Sequence, residues 1–288
     1  MVFLIVPLSA ESVRQREQAN LKNALDWVRD VVMYRHAELA PKFMAGSFVE
    51  HSPVLPQGRA GFILGLGQTS EPLQKTYKYP LITVIAKGDM VLLAFERTAS
   101  YRGNPSKKYT YTWFDVLRFK NNMITDHWDA AVRNPPPPYP PAIIPGTTDH
   151  SMEPVLADAF KHETDTPVDL KNAQVALDWF RVLIGYRNLD RGADLTAAEF
   201  KQHNPNIAPG RDSFAKTFGG RPPEALKPGI AVPPMQVFSK NGLVAMMFER
   251  ESPDPENVGS TYKHYHFDMV KVADGKIAEH WDESKVRE

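Results

Sequence analysis

The 288-residue sequence has no cysteine. That excludes disulfide frameworks, thiolate zinc sites and cysteine nucleophiles together. It also has no excess of either charge, with 34 basic against 34 acidic residues. A zero balance argues against a nucleic-acid partner, which calls for a basic face or stripe. Long apolar runs are missing too. The most apolar terminus, Met1 to Leu8, is far too short to cross a bilayer. It lacks the basic leader and cleavage site of a signal peptide, so it reads as a packed arm. A soluble, cytoplasmic protein without a membrane partner is the expectation. Walker-type glycine loops, a Rossmann fingerprint and a Gly-x-Ser-x-Gly elbow are likewise absent. What is plentiful is proline, 25 residues, many of them between Asn134 and Pro145.

The chain repeats itself once. Ala24-Leu25-Asp26-Trp27 recurs as Ala176-Leu177-Asp178-Trp179, and Tyr34-Arg35 as Tyr186-Arg187. His51-Ser52-Pro53 matches His203-Asn204-Pro205, Gly58-Arg59 matches Gly210-Arg211, and Phe62 matches Phe214. After a one-residue insertion, Phe95-Glu96-Arg97 matches Phe248-Glu249-Arg250, Phe114-Asp115 matches Phe267-Asp268, and His127-Trp128-Asp129 matches His280-Trp281-Asp282. Matching blocks in one order mark a tandem duplication. The expected division is copy one over 1–133, a Pro-rich linker over 134–168 and copy two over 169–288. Proline fixes φ and removes donors, so the linker should be extended, with a short helix around Glu153–Lys161.

Within each copy, helical periodicity comes first (Leu21, Leu25, Val28, Val31, Val32; then Leu177, Phe180, Leu183, Ile184), followed by strand-like runs. The strands fall at Tyr79–Ala86, Met90–Ser100, Tyr109–Phe119 and Met123–Ala130, and again at Met235–Ser239, Leu243–Glu251, Thr261–Val272 and Ile277–Asp282. Asn241-Gly242 and Asp274-Gly275 are hairpin turns. The expected fold class is α+β: two cone-shaped domains, each with helices packed on a curved antiparallel sheet, paired as an intramolecular pseudo-dimer.

Residues two apart on a strand share a face. His127 therefore points with Asp129, and His280 with Asp282, leaving Trp128 and Trp281 opposite. His264, His266 and Asp268 share one face of the preceding strand, and the hairpin should bring Asp268 beside His280. Copy one has Tyr111, Trp113 and Asp115 at those positions. A carboxylate in an apolar pocket is pushed toward neutral pKa, where it is a better base. A neighbouring histidine can shuttle the proton or stabilise a developing oxyanion. The candidate catalytic residues are thus Asp282, His280, Asp268, His266, Asp129 and His127. The candidate substrate-binding residues are His203, His264, Tyr186, Trp179, Phe214, His51 and Asp115. Copy two, with the fuller His/Asp set, is expected to carry the chemistry.

The Glu279-His280-Trp281-Asp282 block after Asp274-Gly275-Lys276-Ile277 resembles the closing signature of SnoaL-like polyketide cyclases, of the nuclear-transport-factor-2-like superfamily. Gln202-His203-Asn204-Pro205 before Gly210-Arg211-Asp212-Ser213-Phe214 is similar to that family's earlier block, and copy one carries both in altered form. The resemblance implies a cofactor-free pocket for a small apolar polyketide- or terpenoid-like metabolite. It makes Asp282 and Asp129 the bases and His280 and His127 their partners. Cyclase, isomerase, dehydratase and hydrolase chemistry all stay open, and so does homo-oligomer formation. The alternatives are a non-catalytic small-molecule binder or interaction protein and, third, a metal enzyme using His264-x-His266 with Asp268 or His280.

Overall fold

A computed structural model describes residues 10–67, 70–73, 79–134, 161–213, 217 and 233–286. The apolar arm, the proline run from Pro135, the expected helix up to Phe160, and Phe214 lie outside the described residues.

Copy one opens with α1 (Ala10–Trp27), which runs into a π-helical turn at Val28–Met33. That turn stops at Arg35, whose φ of 57° is left-handed. A short α2 (Ala40–Phe43) leads into β1 (Met44–Glu50), then α3 (Gly58–Leu66). The meander follows: β2 (Leu81–Lys87), β3 (Met90–Tyr101), β4 (Asn104–Lys120) and β5 (Met123–Asp129). Copy two repeats the scheme with α4 (Pro167–Trp179), a π turn at Phe180–Gly185, α5 (Leu189–Asp194) and β6 (Thr196–Gln202). Its meander is β7 (Gln236–Lys240), β8 (Leu243–Pro253), β9 (Thr261–Ala273) and β10 (Lys276–Asp282).

The two sheets have matching strand orders, β1-β5-β4-β3-β2 and β6-β10-β9-β8-β7. The fold is α+β, but each sheet is mixed rather than antiparallel, because β1 lies parallel to β5 and β6 parallel to β10. Sequence patterning overlooks these two strands for a physical reason. In β1 only Met44, Phe48 and Glu50 are buried, with Gly46 and Ser47 between them, so the period-two signal is broken. A register shift interrupts each parallel pairing as well.

Both faces of each meander are covered, which explains its nearly continuous apolar runs. One face packs on the copy's own helices: Trp27, Val28, Val31 and Phe62 meet Val91, Leu93, Phe95 and Leu117. Copy two builds the same core from Trp179, Phe180, Leu183, Phe248 and Val270. The opposite faces of the two sheets pack on each other through Leu92, Phe114, Val116 and Trp128 against Phe238, Met247, Phe267 and Trp281. Phe114 and Phe267 stack with ring centroids 5.2 Å apart.

The C-terminal end of the expected linker is docked onto copy one. Glu17 Oε1 accepts from Thr164 Oγ1 and from the Gly88 N–H, and buried Lys87 pairs with buried Asp165 at 2.9 Å. Gly88 is required in this contact. Its φ is +65°, and an added Cβ would come within 2.3 Å of His162 Nε2. Thr166 then starts α4 with a capping box, its hydroxyl taking the Asp169 N–H while the Asp169 carboxylate takes the Thr166 N–H. Thr166→Ala removes that cap and should cost about 1 kcal/mol in urea unfolding.

Candidate functional site

The helix-side face of each sheet carries a buried cluster of ionisable groups. Asp115 on β4 lies directly across from Asp129 on β5, and Asp268 on β9 directly across from Asp282 on β10. His127 and His280 come two residues before those last aspartates, so strand alternation turns them to the same face. The rings of Trp27 and Trp179 lie 5.8 and 5.5 Å from His127 and His280.

In copy two, hydrogen bonds close the cluster. Asp268 accepts from His280 Nε2 and His266 Nε2, both at 2.9 Å. The other nitrogen of His266 meets Glu283, and that of His280 meets Gln202 Oε1 at 2.9 Å. Asp282 is bonded at both oxygens, to Asn204 Nδ2 at 2.7 Å and to the Ser284 N–H at 2.9 Å. Burial opposes charge on Asp268 and His266, but pairing outweighs it. Asp268 is held well below the usual carboxylate range by the two histidines, and His266 well above the usual imidazole range by Glu283 and Asp268.

Copy one differs at four of these positions, one of them being Ala130 where copy two has Glu283. Trp113 replaces His266; its indole N–H donates to Asp115 Oδ1 at 2.9 Å, while the Arg97 guanidinium lies 4.3 Å over its ring. Glu50 replaces Gln202, with both carboxylate oxygens within 3.0 Å of His127 Nδ1. Ser52 replaces Asn204, and its hydroxyl is buried without a partner among the described residues. Asp129 accordingly accepts only the Ala131 N–H, at Oδ1, among the described residues. Burial pushes the Asp129 carboxyl up to about 6; nearby His127 works against the rise and Asp115 adds to it. Burial disfavours charge on His127 as well, but Glu50 and Asp115 outweigh that and hold the ring well above the usual imidazole range.

The sequence-derived candidates divide accordingly. Asp268, His280, Asp282 and His266 come together, as do Asp115, His127 and Asp129, and Trp179 lies against His280. His51 and His203 do not join them. They stack on Trp128 and Trp281 at 4.4 Å and pair with Asp126 and Glu279, so they occupy the opposite face from the clusters. His264 bonds the buried Ser252 hydroxyl at 2.9 Å, and burial pulls its pKa down to about 4. It does not join His266 in one ligand set. Tyr186 is buried at the end of the π turn. Sequence reasoning misses Glu50, Gln202, Asn204 and Glu283, although the repeat offers a signal: Glu50 and Ser52 flank His51, and alternation puts both on the face opposite to it.

Asp115, His127 and Asp129 offer one ligand atom each within 4.8 Å of one another, as do Asp268, His280 and Asp282. A cation there would have to displace the proton that Glu50 and Asp115 favour on His127. Two surface hollows, of about 340 and 130 Å³, lie around Arg211 and Asp212, and neither is lined by a member of the clusters.

Several solved structures are similar to part of this chain. A candidate polyketide cyclase from Acidithiobacillus ferrooxidans is 20% identical over 38% of this chain and 86% of its own, with a TM-score of 0.30. Another from Bacillus cereus is 20% identical over 45% and 89%, at 0.31. The chain is similar to SnoaL-like polyketide cyclases in fold. An epoxide hydrolase-like protein of Mycobacterium tuberculosis is also similar, 10% identical over 39% of this chain and 81% of its own, with a TM-score of 0.29. No family model and no curated protein sequence matches the chain. Among the described residues, no helix is long and apolar enough to cross a membrane.

Proposed function

We propose that the chain is an acid–base enzyme that removes a proton from a small, largely apolar, carbonyl-bearing metabolite of polyketide or terpenoid type, and that copy one carries the chemistry. The observation that supports this is Asp129. It is a buried carboxyl with one oxygen unpaired among the described residues and a pKa of about 6, beside a protonated histidine. A base of that strength is largely ionised at neutral pH yet accepts a carbon-bound proton better than an ordinary carboxylate. The imidazolium next to it stabilises the negative charge that proton removal leaves on the substrate oxygen. Both roles are filled by side chains alone, without a cofactor. Ring closure, isomerisation and elimination all begin from that intermediate, and the resemblance to cyclases favours the first.

Sequence composition points to copy two, but its hydrogen bonds point the other way. Both oxygens of Asp268 and of Asp282 are already bonded. A closed network of that kind favours the second reading for copy two, a binding or scaffold domain that covers the rear of the first sheet. Asp129 is 4% exposed, so substrate entry requires the packing above it to open.

A generic carbon acid can stand in for the natural substrate. Proton NMR in D2O follows exchange of the acidic C–H of a panel of aryl 1,3-diketones. The native chain should accelerate exchange, Asp282→Asn should retain most of the rate, and Asp129→Asn should lose about 100-fold or more. Loss in Asp282→Asn with retention in Asp129→Asn would overturn the assignment.

A further inference from the structure

Glu50 directly precedes the His51-Ser52-Pro53 block, and it is the most enclosed carboxylate of copy one, at 1% exposure. It closes β1, in register with His127 on β5. Its Oε1 and Oε2 lie 2.9 and 3.0 Å from His127 Nδ1, and Oε1 also accepts the Ser52 N–H at 2.9 Å, which fixes the plane of the carboxylate. On the other side of the ring, Nε2 is turned toward Asp115 Oδ1 at 3.4 Å. A ring with oxygen acceptors at both nitrogens donates from both.

Copy two shows what geometry alone requires. Gln202 takes the place of Glu50, its Oε1 receiving His280 Nδ1 and the Asn204 N–H, both at 2.9 Å. A neutral amide therefore orients the ring equally well. Enclosing a carboxylate instead is unfavourable unless a cation pairs with it. What Glu50 adds over an amide is negative charge behind the ring.

We propose that Glu50 is a positioning residue: it fixes the His127 ring and keeps it positively charged, so that Nε2–H stays a cationic donor beside Asp129. This assignment rests on the reading of Asp129 as the proton acceptor. The charged groups facing His127 are Glu50 from β1, Asp115 from β4 and Asp129 from β5, while α1 and α3 present the rings of Trp27 and Phe62 at 5.8 and 5.7 Å. No apolar neighbour replaces the charge that Glu50 supplies. It is also a better-placed partner than Asp115, which shares its Oδ1 with the Trp113 indole.

The experiment is a pH titration of the full chain labelled with 15N-histidine, reading the ring nitrogens of His127 between pH 5 and 10, beside the diketone exchange rate. In the native chain His127 should remain doubly protonated well above the usual imidazole range, with the Nδ1 proton shifted downfield by its charge-assisted bond. In Glu50→Gln the His127 midpoint should fall by about one unit or more, a tenfold change in proton affinity. The exchange rate should fall with it, and its pH profile should move by the same amount. A merely structural Glu50 would lower stability and leave the midpoint and profile in place, which overturns the proposal. A native His127 that is neutral at pH 7 also overturns it, and that reading needs no variant should Glu50→Gln fail to fold. Full exchange activity in Asp129→Asn would instead overturn the base assignment and leave Glu50's hold on His127 intact.

Discussion

Asp268→Ala should destabilise the chain by about 3–5 kcal/mol, enough to unfold copy two under mild conditions. Asp268 is 4% exposed and accepts from His266 and His280 at once. Its removal strands a half-buried imidazolium at His266 beside Glu283 and takes the Asp268 carboxylate away from His280 Nε2. Asp268→Asn should be milder, because its amide oxygen still accepts from one ring. The pH dependence follows from the two shifts. A depressed carboxyl contributes stability above its unfolded value, near 4, and loses it as pH falls through the folded value. A raised histidine contributes fully below about 6.5 and loses its share as pH rises through its folded value. The penalty of Asp268→Ala should therefore be largest between about pH 4 and 6.5, in urea unfolding followed by tryptophan fluorescence. A flat penalty from pH 3 to 9 would contradict the pairing.

Asp129→Asn should act in the opposite direction on stability while removing the chemistry. A carboxyl whose folded value lies above its unfolded one opposes folding once it ionises. The cost is absent below about pH 4, grows as pH rises to about 6, and is constant above that. Raising Asp129 from 3.8 to about 6 amounts to some two units, or about 2–3 kcal/mol at pH 7. Asparagine keeps the oxygen that accepts the Ala131 N–H and carries no charge. Asp129→Asn should therefore stabilise the chain by up to about that amount at pH 7 and by nothing near pH 4. Turnover should drop about 10²- to 10⁴-fold, the usual contribution of a general base. A stabilised, inactive variant distinguishes a strained functional group from a structural one, whose loss would destabilise.

Much of this arrangement is legible in the sequence because it rests on alternation. The repeat places His127 with Asp129 and His280 with Asp282, and a hairpin through Asp274-Gly275 brings Asp268 to His280, as the 2.9 Å bond shows. Alternation also puts Trp128 and Trp281 in the core between the sheets. What escapes is whatever depends on β1 and β6. Their parallel pairing and broken periodicity hide them as strands, so Glu50, Gln202 and Asn204 are not seen beneath the histidines, and nothing in the pattern shows that His51 and His203 turn to the face opposite the clusters. The balance between the copies escapes for another reason. Histidine count points to copy two, while reactivity depends on which oxygens are already bonded, and that is decided by single exchanges such as Asn204 for Ser52.

The most direct test of the account is the ionisation of Asp129 in the intact native chain, read from its side-chain carboxyl 13C shift between pH 3 and 9 and assigned by its disappearance in Asp129→Asn. The account predicts a midpoint of about 6 for Asp129. A midpoint at or below 4 would mean that the carboxylate is fully paired, and copy one would then hold no poised base.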